Sequence, residues 1–340
     1  MWSATPSRPL RVARAKKVCG PSRGTSSEMV KVFRYEDGHR RTWDEFVATA
    51  KNSVFLFKRD YMEYHADRFA DYSLMFYAGE RLIAVMPANR DGEIVVSHGG
   101  LTFGGVVSDK AMKASVMLEV FDALRTNLIK SGLKSLIYKA VPHIYHQSPA
   151  EEDLYALYRH NAKMVRRDIS SAILLKDRLP FSKGRKWAIK QAQKHGLEVR
   201  KNEDFAVFMP IEEQVLGEKH NLRPVHTAEE IQLLAERFPN NIKLFSAYCN
   251  GEMLAGVVMY ESDNVAHAQY MAANNDGKRK GALDLVLDYL INEYYSGKKY
   301  FDFGISTEDD GRYLNTGLIE NKQSFGARAI VHDFYEIVLS

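Results

Sequence analysis

Asp302 is a single acid inside the apolar run 299–305 (KYFDFGI). A carboxylate in such company is costly unless it is paired or put to work. His267 lies in another strand-like run, 264–272 (NVAHAQYMA). Strand alternation groups His267 with Val265 and Gln269, opposite Ala266, Ala268 and Tyr270. One of those faces must meet the core, so His267 is expected to be a satisfied, buried histidine. His98 ends the strand-like 93–97 and opens a glycine-rich stretch, 98–105 (HGGLTFGG), where an imidazole could act as a base or touch a substrate. His143 and His146 are three apart without a Cys or carboxylate at ligand spacing, so no metal site is expected. Tyr145 and His146 are candidates for a substrate pocket. Lys58, Arg59, Arg166 and Arg167 are candidate phosphate ligands. Phe57, Tyr61 and Tyr64 at helical spacing are read as core first and as a stacking platform second. Cys249 has no base beside it and is read as a small core hydrophobe.

One segment has the outline of a phosphate cradle. After the 264–272 run come Gly277, Lys278, Arg279, Lys280, Gly281 and Ala282, and then a helix-period stretch with Leu283, Val286, Leu287 and Leu290 on one face. Glycines let backbone approach oxygen closely, a helix start offers unpaired N–H groups, and three cations add charge. The nucleotide-triphosphatase lysine motif and the dinucleotide glycine fingerprint are both absent.

The elements around these residues occur twice. Runs 72–78 and 82–88 flank a Gly79-Glu80 turn, 93–97 leads into the glycine stretch, a helix pattern spans about 110–130, Ser131-Gly132 stops it, and 133–141 resumes as strand. The second unit has 243–249, the Asn250-Gly251 turn, 253–260, 264–272, the 277–282 loop, a helix, Ser296-Gly297 and 299–305. The Ser-Gly stops lie 165 residues apart. This order predicts a duplicated α/β unit. A helix over 150–161, a strand over 164–175, a basic helix near 183–195 with Lys186, Lys190 and Lys194, and a capping box at Thr227 and Glu230 lie between the copies. The boundary is placed at Leu179-Pro180, giving units over 29–179 and 180–340.

Composition narrows the function. Of 47 basic and 43 acidic residues, six and one fall in residues 1–28, leaving 41 and 42 in the rest. The basicity is therefore that of a tail, read as lying before a true start at Met29, as disordered, or as an organelle transit peptide. The body does not advertise a nucleic-acid partner. No run reaches the ~18 apolar residues that span a bilayer, and no membrane partner is expected. Two cysteines suit a reducing, cytoplasmic setting.

A strand, a Gly-x-x-x-Gly-Ala turn and a helix after an antiparallel hairpin resemble the acyl-CoA N-acyltransferase (GNAT) fold. Two such units with the C-terminal Lys322-Gln323-Ser324-Phe325-Gly326 resemble the Fem-type aminoacyl-transferases. The stretches 55–65, 97–105, 142–154, 161–171 and 314–326 are similar to tandem-GNAT N-acyltransferases of nucleotide-linked amino sugars in surface-polysaccharide pathways. The resemblance implies an α+β fold of two GNAT-like domains, each a mixed sheet flanked by helices. It implies an acyl-CoA donor bound by Met271, Ala272, Gly277, Lys278, Arg279, Lys280, Gly281 and Ala282. It implies a nucleotide-sugar acceptor near Lys58, Tyr64, Thr102, Tyr145, His146, Arg166, Arg167 and Asn315. Catalytic work is expected of Lys322, His98, Tyr270 and Asp302, with a strand N–H near Gln269–Met271 as oxyanion donor. Monomer and homodimer are both open. The rivals are transfer of an aminoacyl group from tRNA to a peptidoglycan precursor, and a non-catalytic ligand-binding pair.

Overall fold

A computed structural model describes residues 29–220 and 223–339; the basic tail and Cys19 lie outside them. Each unit begins with a hairpin whose turn is set by residues that tolerate positive φ. Asn250 (φ 52°) and Gly251 (φ 85°) join Ile242–Cys249 to Glu252–Glu261, and Gly79 (φ 58°) joins Leu74–Ala78 to Arg81–Met86. The first unit continues through strand Ile94–Val96, helix Ala114–Lys130 and strand Ser135–Lys139. That helix buries Met117, Val120, Phe121, Leu124 and Leu128 on one stripe. The second continues through strand Val265–Ala273, helices Asn275–Lys280 and Ala282–Tyr289, a π-helical turn and strand Tyr300–Ile305. The predicted capping box at Thr227 forms, with both reciprocal bonds present.

The repeats share one sheet of eleven strands. At its centre, Lys163–Leu174 pairs antiparallel with Arg328–Val338. These are the last strands of the two units, and each sits in the other's half. Lys163–Leu174 also pairs with Tyr300–Ile305 of the second unit, and Arg328–Val338 with Ser135–Lys139 of the first. Outward from this pair the halves match, since Ile94–Val96 runs parallel to Ser135–Lys139 as Val265–Ala273 does to Tyr300–Ile305. The first hairpin departs from the match by peeling into a separate four-stranded sheet with Val30–Arg34 and Val107–Ser108. Three apolar cores result, and one of them joins the halves. In it Phe55 and Tyr61 from the first unit meet Phe238 and Tyr260 from the second.

The 277–282 segment is a helical turn where the sequence suggested an open loop. Asn274 caps it by accepting from Gly277 N–H at 2.8 Å, and Gly281 (φ 74°) ends it. A Cβ on Gly277 would sit 2.3 Å from the Leu254 carbonyl oxygen, and one on Gly281 2.5 Å from that of Ala188. The close approach these glycines permit is therefore to the protein's own backbone. No helix among the described residues is long and apolar enough to cross a membrane.

The strand exchange forbids independent halves. Residues 29–179 produced alone would leave Ser135–Lys139 and Lys163–Leu174 without the strand between them. That fragment is expected to show no cooperative thermal transition by circular dichroism, and co-expression with 180–340 is expected to restore one.

Candidate functional site

The site begins where two parallel strands separate. Val265–Ala273 pairs with Tyr300–Ile305 only at Val265, Ala266 and His267, the last opposite Asp302. Beyond that point the strands diverge, and Gly304 takes φ 76°. On its other edge Val265–Ala273 carries a bulge. Val258 pairs with Tyr270 and Met259 with Ala268, leaving Gln269 out of register. The extra residue corrects the simple alternation expected from the sequence. It turns Tyr270 to the same side as Val265, in the core that joins the halves, while Ala266 and Ala268 pack in another core.

Asp302 is fully buried and collects donors from both halves. Its Oδ2 accepts from His267 Nδ1 at 2.8 Å and from the Tyr145 hydroxyl at 3.0 Å. Its Oδ1 accepts from the Ser170 hydroxyl at 2.6 Å and from Gly304 N–H at 3.2 Å. Burial alone would raise its pKa, but the His267 bond and charge, with help from His332 and Ser170, hold it well below the usual carboxylate range. In its neutral form the His267 ring, donating Nδ1–H to Asp302, keeps Nε2 as an acceptor. The imidazole, 14% exposed, lines a narrow cleft with Tyr260, Ser262 and Gln269. The facing wall comes from the first unit: Val54, Phe55, Leu56, Thr102, Phe103 and Tyr145.

Lys322 stands behind this pair. It is 4% exposed and donates to the carbonyls of Gly304 and Ile305 at 2.9 and 2.6 Å, fixing the turn that ends the Asp302 strand. Burial lowers its pKa to about 8, against the pull of Asp302.

Tyr270 and His98, also expected to be catalytic, lie in a second cluster. The Tyr270 hydroxyl is 2.6 Å from His226 Nδ1. The Tyr64 ring stacks on His65 at 4.2 Å and on His226 at 5.5 Å, and His98 lies 5.3 Å from His65. Burial drives the His98 pKa down to about 3 and that of His226 to about 4, so both imidazoles are neutral. Beside Tyr270, the buried carboxyl of Glu212 accepts from Met271 N–H, and burial lifts its pKa to about 7. One of the amides expected to serve as an oxyanion donor is thus already bonded.

The candidate anion ligands are dispersed. Arg59 is 3% exposed, bonded to Glu63, Asp71 and Ser73 and laid over the Tyr35 ring at 3.7 Å, which removes it from the phosphate candidates. Arg166 pairs with Asp168 and Asp310, and Arg167 grips Asp333 with two bonds. Lys58 lines a separate groove with Gln147 and Asp263. His146 Nε2 lies 3.0 Å from the Val141 carbonyl, and Asn315 caps helix Thr316–Gln323. Arg279 and Lys280 pair with Asp276, and Lys278 is exposed. Of the residues named from sequence, Asp302, Lys322, His267, Tyr145 and Thr102 therefore gather around the cleft, joined by Ser170. Ser170 had no sequence signal; His267, expected to be a satisfied, buried histidine, is bonded to Asp302 but keeps an edge on the cleft.

Residues 182–313 match the acetyltransferase (GNAT) domain family. That match falls within the second unit. The whole chain is similar in fold to FemX, with a TM-score of 0.64 and 10% identity over 91% of this chain and 97% of that one. It is also similar to L-PGS from Bacillus licheniformis, with a TM-score of 0.60 and 13% identity over 88% and 92% of the two chains. No curated protein matches the chain. The His267–Asp302 pair and the strand divergence that carries it lie within the matched segment. Among the described residues, no group of three or more His, Cys, Asp or Glu side chains could hold a metal ion.

Asp302→Ala would strip the carboxylate from four donors, and a loss of about 3–5 kcal/mol is expected in urea unfolding. Because the folded pKa lies below the unfolded value near 4, the contribution of Asp302 is complete above that value and lost as pH falls through the folded pKa. The stability gap between wild type and Asp302→Ala should therefore narrow as pH drops below about 4.

Proposed function

We propose that the protein moves an acyl group from a coenzyme A thioester to the amine of a nucleotide-linked amino sugar, for surface-polysaccharide synthesis. The observation that carries the reading is the His267–Asp302 pair, set at the strand divergence and open to a cleft built by both units. Acyl transfer needs the amine nitrogen to lose a proton as it bonds to the carbonyl carbon. His267 Nε2, the tautomer fixed by Asp302, accepts that proton. The carbon–sulfur bond breaks, and the proton leaves with the departing thiol. Gln269, at the bulge, supplies the backbone donor for the developing oxyanion. Lys322 acts as a positioning residue through the Gly304–Ile305 turn. Thr102 and Tyr145 form the acceptor side, with the donor entering along Met271 and Ala272 toward Lys278–Lys280.

A second reading has one observation behind it. Gly277 and Gly281 are packed on the Leu254 and Ala188 carbonyls, which leaves cations but no glycine cradle for a diphosphate. An acyl group carried as an ester on tRNA, delivered to a peptidoglycan precursor, needs no such cradle.

The test is release of free thiol from acetyl-CoA or a 3-hydroxyacyl-CoA in the presence of dTDP- or UDP-amino sugars. Sugar-dependent thiol supports the proposal; absence of thiol with every sugar, together with retention of charged tRNA on a filter, transfers support to the second reading. His267→Ala is expected to lower turnover by about 10²–10⁴ with the thermal transition retained. Lys322→Met, which keeps the bulk of the stem, should reduce kcat more than KM. Full activity in both variants would remove the assignment.

A further inference from the structure

Helix Lys183–Lys194 takes no part in the cleft. Its inner stripe, Ile189 and Ala192 with the half-buried Ala188, packs toward helix Ala282–Tyr289 and the turn at Gly281. Its outer stripe is Lys183, Lys186, Trp187, Lys190 and Lys194, all exposed. The helix contains no acid. Arg185, on the inner side, is the cation that is spent, on Asp284 at 2.8 Å. The four outer ammonium groups have no ion pair among the described residues. Lys278 on the adjoining helix Asn275–Lys280 is also exposed, and Asp276 there is taken by Arg279 and Lys280. One carboxyl, Asp288, borders the groove that Lys186 and Lys190 line. A body with 41 basic and 42 acidic residues thus concentrates unpaired cations on one helix face.

Trp187 decides what that face suits. Its side chain stands 64% exposed among the lysines. An indole with an apolar ring and one N–H donor is favoured at the boundary between water and hydrocarbon, and lysines flanking it reach phosphates while their stems cover apolar surface. Lysines one turn apart on a convex face present point charges in one plane, which matches a sheet of anionic headgroups. A grooved polynucleotide would favour a concave face and the planar fork of arginine. We propose that helix Lys183–Lys194 docks the protein on an anionic phospholipid surface, with Trp187 entering the headgroup layer and Lys183, Lys186, Lys190 and Lys194 over the phosphates. A helix lying on a bilayer needs no spanning segment. The proposal is independent of the acyl donor and of the acceptor.

The chain has three tryptophans. Trp43 is fully buried and donates to the Phe57 carbonyl, so full-length protein carrying Trp2→Phe reports on Trp187. Vesicles of phosphatidylcholine, with and without phosphatidylglycerol and carrying brominated acyl chains, provide the probe. Binding with quenching of Trp187 is expected only with the anionic lipid, and should weaken as salt screens the charges. Since each lysine near such a surface is worth about fivefold in binding, the triple variant K186E/K190E/K194E should lose at least about a hundredfold with an unchanged thermal transition. Three results would overturn the proposal. One is no binding to anionic vesicles. Another is binding without Trp187 quenching, which assigns it to the basic residues of 1–28. The third is retention of RNA instead of vesicles, abolished by the same triple variant.

Discussion

The buried charge of Asp302 is the constraint around which the two halves are arranged. A carboxylate without solvent is tolerable only when donors replace its hydration, and here they come from four places in the chain: Tyr145, Ser170, His267 and Gly304. Tyr145 belongs to the first unit, Ser170 to the exchanged central strand, and the other two to the second unit. Pulling the halves apart would strip the charge of its two hydroxyl donors, Tyr145 and Ser170. The same interaction that seals the interface also sets the His267 tautomer, so packing and chemistry are not separable at this point.

The exchange of final strands supplies the rigidity. Lys163–Leu174 and Arg328–Val338 lie side by side along nine register pairs, and each carries groups toward the Asp302 region: Ser170 from the first, His332 from the second. A cleft between two loosely tethered domains would open and close freely. A cleft over a continuous sheet has a fixed floor, and segments 54–56 and 102–103 form its facing wall.

Several features were legible because they depend on neighbours in the chain. The duplication could be read from turns and helix stops, since Asn250-Gly251 and Ser131-Gly132 act through local backbone preferences. The helix pattern of 110–130 and the capping box at Thr227 are equally local, and both formed as read. Asp302 was flagged by a burial argument that needs only a polar residue in an apolar strand. The bulge at Gln269 was invisible, because a bulge is a relation between two strands; missing it put Tyr270 on the wrong side of its own strand. The glycines of 277–282 were misread for a similar reason. Spacing shows that backbone must come close there, but not to what.

The sequence by itself determined the repeat, the elements and the buried acid of the 299–305 run, since periodicity, turn chemistry and the cost of a charge in an apolar run are properties of short segments. Tertiary structure alone decided that the last strands trade places, that His267 rather than Tyr270 or His98 meets Asp302, and that Arg59 is spent in an internal network. It also left the lysines of 183–194 on one unpaired face around Trp187. Each of these is a matter of pairing between residues tens to hundreds of positions apart, and such pairing is chosen by which arrangement satisfies the buried polar groups and closes the cores together.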